Sequence, residues 1–140
     1  MIARLLDILS TKFVRISGQS MEPTLSDRSW LRVNRRAYRS ASPERFDVVR
    51  LEDPGSAGHW IIKRVVGLPG EEVKLEDGVL FVNGSEIREP HLSIRAPAGK
   101  YEWWLRGDEF VVLGDNRSAS TDSRRFGPVS FSAIRGKVIL

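Results

Sequence analysis

Cysteine is absent from this 140-residue chain. That absence excludes a thiol nucleophile, a disulfide framework and a thiolate metal site. Histidine is scarce, with only His59 and His91. Neither lies in a triad-like context or beside carboxylates at ligand spacing, so the expectation is no metal and no cofactor. Long apolar runs are also missing. The longest stretches free of Lys, Arg, Asp and Glu extend only from Pro54 to Ile62 and from Phe126 to Ile134. A spanning helix needs about 20 apolar residues, so no bilayer-crossing segment is expected.

What is present is a globular composition, 41% hydrophobic and 29% charged, in a length that suits one domain. No repeat, low-complexity tract or interdomain linker interrupts it. The formal net charge is +4, and arginines crowd at Arg32, Arg35, Arg36, Arg39 and Arg45. Such a stripe serves as a solvated face or meets an anionic surface. Nucleic acid is not the expected partner, because the aromatics form no spaced stacking platform.

At the N-terminus, Ile2, Leu5, Leu6, Leu9 and Phe13 recur at helical spacing, with Arg4, Asp7 and Lys12 on other faces. The run is too short and too charged for a secretory signal. A short amphipathic segment over residues 1–12 is expected, packing on its own domain or lying at a membrane interface. Residues 13–140 read as a single, mostly β domain. Phe13–Ile16, Trp30–Val33, Phe46–Leu51, Glu109–Leu113 and Gly136–Leu140 are short and rich in β-branched and aromatic residues. Val73–Glu76 and Val79–Val82 flank Asp77-Gly78, which suits a type I′ hairpin turn, and Asn83-Gly84 starts another. Many short strands with glycine-rich turns favour an antiparallel sheet closed toward a barrel. Asp53–Gly58 and Glu86–Gly99 read as loops.

Two positions carry the chemistry. Ser20 follows Phe13–Ile16 in a turn that Pro23 helps to close, and Gly18 leaves the backbone free to aim the Ser20 N–H at a developing oxyanion. Lys63 lies in the apolar run Trp60-Ile61-Ile62-Lys63-Arg64-Val65-Val66-Gly67. Strand alternation puts Ile61, Lys63 and Val65 on one face and Trp60, Ile62, Arg64 and Val66 on the other. An ammonium among apolar neighbours loses hydration and its pKa falls, which would let neutral Lys63 take the Ser20 proton. The bland alternatives are a turn serine and a lysine that snorkels to water. A third segment, Gly114 to Val129, packs turn formers, hydroxyls and both charge signs together. It reads as a self-braced loop able to present a hydroxyl to a buried amine.

Together these segments resemble the type I signal peptidase family of serine–lysine proteases, in family order. Ser20-Met21-x-Pro23-Thr24-Leu25 is similar to the nucleophile box and Lys63-Arg64-Val65-Val66-Gly67-Leu68-Pro69-Gly70 to the general-base box. Phe46–Val49 resembles the strand between them, and Gly114-Asp-Asn-Arg-x-x-Ser120-x-Asp122-Ser-Arg124 the last box. The resemblance covers Phe13 to Leu140. It implies a barrel-like β core and a serine endopeptidase that cuts signal peptides or similar pro-sequences after small residues. Ser20 would be the nucleophile and Lys63 the general base. Ser120 would hydrogen-bond the Lys63 amine, and Asp122 and Arg124 would brace the site, with Asp122 reaching Arg64. The Ser20 N–H would be one oxyanion donor. The second donor that some members take from a side chain is in doubt, because Gly18 occupies that position. Substrate would add as a strand between Ile16 and Ile62.

The implied partner is a preprotein or propeptide, with peripheral membrane contact through residues 1–14 and through Trp103 and Trp104. The resemblance implies a membrane-associated protein with an extracytoplasmic catalytic face. A soluble relative, such as the nickel-type superoxide dismutase maturation proteases, would instead be cytoplasmic. A non-enzymatic basic β-domain that binds lipid or nucleic acid is the remote alternative.

Overall fold

Strand periodicity is visible in which side chains reach water. In Trp30-Leu31-Arg32-Val33, Leu31 and Val33 are buried while Trp30 and Arg32 face solvent. The computed structural model describes residues 9–92 and 97–140. In chain order its strands are β1 (Thr11–Arg15), β2 (Trp30–Asn34), β3 (Val48–Glu52), β4 (Trp60–Gly67), β5 (Glu72–Glu76) and β6 (Val79–Val82). They continue with β7 (Ser85–Ile87), β8 (Lys100–Trp104), β9 (Glu109–Leu113), β10 (Val129–Ser130) and β11 (Ile134–Ile139). An α-helical turn, α1 (Ser123–Phe126), and a 3-10 turn (Phe131–Ala133) interrupt them.

Every pairing is antiparallel. Seven strands form a sheet in the order β1-β2-β11-β3-β4-β9-β10, and four form a second in the order β7-β6-β5-β8. Strands β1 and β4 stand three strands apart in the first sheet, yet Ile16, just past the end of β1, and Ile62 on β4 pack in one apolar cluster. The sheet therefore curls into a half-barrel, in agreement with the barrel-like β core expected from sequence. A second cluster, with Val66, Val73, Leu80, Trp103 and Leu113, joins the two sheets.

Turn chemistry sets the smaller sheet. Asp77 and Gly78 have φ of 48° and 82°, and Asn83 and Gly84 have 49° and 83°. Both are the left-handed pairs that a tight hairpin requires. These turns bring Glu76 opposite Val79 and Val82 opposite Ser85.

Several expectations need correction. Strand β8 is missing from the sequence reading, and with it the setting of Trp103, which is 8% exposed in the core. Of this pair only Trp104, at 66%, faces solvent, because adjacent strand residues point to opposite sides. Strand β1 contains Phe13 as expected but begins at Thr11, so Thr11 and Lys12 of the expected helical segment 1–12 belong to it. The remaining expected helix, residues 1–8, lies outside the described residues. The strand expected from Phe46 begins at Val48, because Phe46 has φ of 73° and turns its carbonyl out of the ladder. The supposed loop from Glu86 contains the end of β7. Among the described residues no helix is long and apolar enough to cross a membrane.

Candidate active site

The turn after β1 is held from below by apolar side chains. Ile16, Met21 and Leu25 are buried in one cluster. Backbone bonds from Glu22 N–H to the Gln19 carbonyl (3.1 Å) and from Leu25 N–H to the Met21 carbonyl (3.0 Å) close the turn. Gly18 takes φ of 95°, and its N–H donates to Asp27 Oδ1 at 2.8 Å. Ser20 is left half-buried at the rim. No described group accepts its backbone N–H.

Lys63 enters from β4, where it pairs with Val49 of β3. It is only 4% exposed. Its Nζ lies 2.7 Å from Ser20 Oγ, the amine donating. Burial pushes the Lys63 pKa down, opposed by the charges of Asp122 and Asp53 and reinforced by Arg124. A solvent-reaching lysine is therefore not what the fold builds.

Strand β9 carries the chain to the third segment. Asp122 is fully buried. It accepts from the Gly114 N–H (2.9 Å) and twice from the Arg124 guanidinium (both 2.9 Å), and it caps α1 through the Arg124 N–H. Burial alone would raise its carboxyl. The Arg124 and Gly114 donors overcome that and hold it below the usual carboxylate range. Arg124 also donates to the Arg117 carbonyl at 2.7 Å.

The buried Ser120 hydroxyl lies beside the Asp122 carboxylate and makes no hydrogen bond to the Lys63 amine, so the expected bond is not formed. It packs against Gly114, where an added Cβ would lie 2.1 Å from Ser120 Oγ and 2.5 Å from the Ser20 carbonyl.

Arg64 does not meet Asp122. It forms a buried two-point pair with Asp115, Nε to Oδ1 at 2.9 Å and Nη2 to Oδ2 at 2.7 Å, and a third bond to the Phe46 carbonyl. Thr24 Oγ1 donates to the same Asp115 Oδ2 at 2.6 Å. The neighbouring Asn116 donates its N–H to the Ser20 carbonyl (2.9 Å) and its amide to the Gln19 carbonyl (3.1 Å). Asp115 and Asn116 thus clamp the serine turn, a role the sequence reading did not assign. The available signal was their place inside the Gly-Asp-Asn-Arg run. His91 lies 3.9 Å from Asp115 Oδ1 with its edge on Phe46. Burial and the Arg64 charge push its pKa down to about 4, so it is neutral near pH 7.

A groove of about 310 Å³ runs over the pair, lined by Ile16, Ser17, Ser20, Trp60, Ile62 and Lys63. Its walls offer free strand edges. Among the described residues β1 pairs only with β2, and β4 pairs with β9 only from Arg64 onward.

Comparison with known proteins agrees in sequence and in fold. The family model described as "Signal peptidase, peptidase S26" matches residues 1–140. "Signal peptidase I V" of Bacillus subtilis (strain 168) is 34% identical over 147 residues, 89% of this chain and 81% of that protein. "Signal peptidase I P" of Bacillus subtilis subsp. natto is 37% identical over 119 residues, 78% of this chain and 63% of that protein. The crystal structure of a signal peptidase I from Enterococcus faecalis V583 superposes with a TM-score of 0.63 at 29% identity. It covers 71% of this chain and 97% of that one.

Proposed function

The chain belongs to the signal peptidase family, peptidase S26, and from that premise we propose that it is a serine endopeptidase that removes signal peptides from preproteins, with Ser20 as nucleophile and Lys63 as general base. The observation that carries the assignment is the 2.7 Å approach of Lys63 Nζ to Ser20 Oγ inside an apolar wall.

Burial disfavours the charge of Lys63, and its neutral form takes the Ser20 proton as Oγ attacks the scissile carbonyl. The carbonyl oxygen becomes an oxyanion facing the unengaged Ser20 N–H. The Lys63 ammonium then protonates the leaving amine, and the acyl group stays on Ser20. Water gives a proton to Lys63 and attacks the ester, and Lys63 returns that proton to Ser20 Oγ as the C–Oγ bond breaks and the carboxylic acid leaves. Asp122 and Arg124 fix the loop behind Lys63. Ser120 is a hydroxyl within that loop, packed against Gly114. Arg64 and Asp115 hold the Ser20 turn.

The free edges near Ile16 and Ile62 suit a substrate that adds as a strand. The resemblance to signal peptidases adds small side chains just before the scissile bond and two residues further upstream. Peripheral membrane contact is also proposed. The expected segment 1–14 lies mostly outside the described residues, but Phe13 and Trp30 on the outer face of β1 and β2, 62% and 67% exposed, supply apolar groups there.

The test is a preprotein substrate with alanine at those two positions, beside a Ser20→Ala control. Cleavage after the final alanine by the wild type alone is the expected result. An intact substrate with folded wild type would overturn the proposal.

A further inference from the structure

The arginine stripe noted in the sequence does not stay together in the fold. Arg45 turns inward and forms a two-point pair with Glu71. Arg35, Arg36 and Arg39, in the turn after β2, instead converge with Arg50 of β3 and Arg135 of β11 around a cavity of about 430 Å³. Among the described residues no acidic side chain lines it. None of the five guanidinium groups meets a carboxylate among the described residues. Five like charges facing one cavity repel one another, and the Arg50 pKa is lowered by burial and by the Arg35 charge. A bound anion would relieve that repulsion.

The walls are not only basic. The Arg50 guanidinium stacks over the Trp60 ring at 3.8 Å, and exposed Leu9 completes the rim. Beyond it, the outer face of β1 and β2 alternates Phe13 and Trp30 with Arg15 and Arg32, register partners across the pair. Exposed Ile139 of β11 lies opposite Arg32. Aromatic and apolar groups interleaved with arginine match a headgroup–acyl boundary, where rings sit at headgroup level and basic groups meet phosphate. A site for a freely soluble phosphate has no need of such a rim.

We propose that the cavity formed by Arg35, Arg36, Arg39, Arg50 and Arg135 beside Trp60 binds the phosphodiester headgroup of an anionic phospholipid. Arg50 and Trp60 also line the groove that holds Ser20 and Lys63. A lipid seated there places that groove at the membrane surface, where a signal peptide emerges. The inference rests on the membrane contact proposed above and not on the peptidase chemistry, so it is tested without cleavage.

The experiment measures partition of the Ser20→Ala protein onto phosphatidylcholine vesicles with and without phosphatidylglycerol. An Arg36→Gln/Arg39→Gln variant is compared with an Arg88→Gln/Arg106→Gln variant, which loses the same net charge at exposed positions outside the cavity. The expected result is binding that requires phosphatidylglycerol, weakened about 30-fold by the first pair, or about five-fold per arginine, and little changed by the second. Equal weakening by both pairs would overturn the site in favour of diffuse charge. Equal binding to both vesicle types would overturn it while leaving apolar membrane contact standing. Failure to bind either vesicle would remove the membrane contact as well. Release by free glycerophosphate at matched phosphate concentration would assign the cavity to a soluble anion. Binding of a single-stranded oligonucleotide through the same arginines, with vesicles ignored, would assign it to nucleic acid.

Discussion

Lys63 concentrates the physical conflict of this molecule in one side chain: a cation 4% exposed, beside a hydroxyl that needs a base. Its proton is held less tightly in the fold than in the unfolded chain, because burial is the leading influence on it. Between the folded value and the ordinary lysine value of about 10.4, the unfolded chain binds more protons, so stability rises with pH across that window. Lys63→Met should therefore melt at a higher temperature than wild type at neutral pH and show no cleavage, a pairing that calorimetry and a peptide assay read together. Lys63→Arg should be inactive too, since arginine keeps its proton at any workable pH. The limb of log kcat/KM that rises with pH should bend below the ordinary lysine value. A bend at about 10.4 would remove Lys63 as a depressed base.

Among the elements, the loop after β9 matters more to the site than its lack of regular structure suggests. Gly114 is squeezed between Ser120 and the Ser20 carbonyl. Gly114→Ala should push the serine turn away from Lys63, with activity falling far more than the melting temperature. The turn after β6 gives the contrast. Asn83→Ala puts a residue ill-suited to φ of 49° in a tight hairpin, costing about 1 kcal/mol of stability in denaturant titration with the rate unchanged. Asp115→Ala belongs at this scale as well, because Asp115 ties three segments together. It would leave the Arg64 guanidinium buried without its partner, at a cost of about 3–5 kcal/mol.

For the whole molecule, His91, pushed down to about 4, costs stability as pH falls from its ordinary value of about 6.5, and below that two buried carboxylates set the acid limit. Burial raises both, yet hydrogen bonds from Arg64 and Thr24 to Asp115, and from Arg124 and Gly114 to Asp122, leave both below the usual range. Their stabilisation is complete above the unfolded carboxylate value of about 3.9 and is lost as pH falls through the folded values. The melting temperature should therefore fall as pH drops from about 6.5 to about 4, and tryptophan fluorescence should lose its native signal below about pH 4. A midpoint well above that would mean that other groups govern acid unfolding.

Local chemistry was legible along the chain. The Asp77-Gly78 and Asn83-Gly84 turns, the alternation around Lys63, and the order of the serine, lysine and Gly-Asp-Asn-Arg segments each depend on neighbouring residues or on spacing. The sequence by itself thus determined a mostly β domain and the types of group available for chemistry. The pairings between distant groups were not legible. Arg64 had two carboxylates within reach of the argument, Asp115 and Asp122, and nothing in one dimension chooses between them. Trp103 and Trp104 look alike until β8 is known to pair with β5. Only the tertiary structure decided these matters, because desolvation and ion pairing depend on which strands the curled sheet brings together, and that is set by the packing of the entire core.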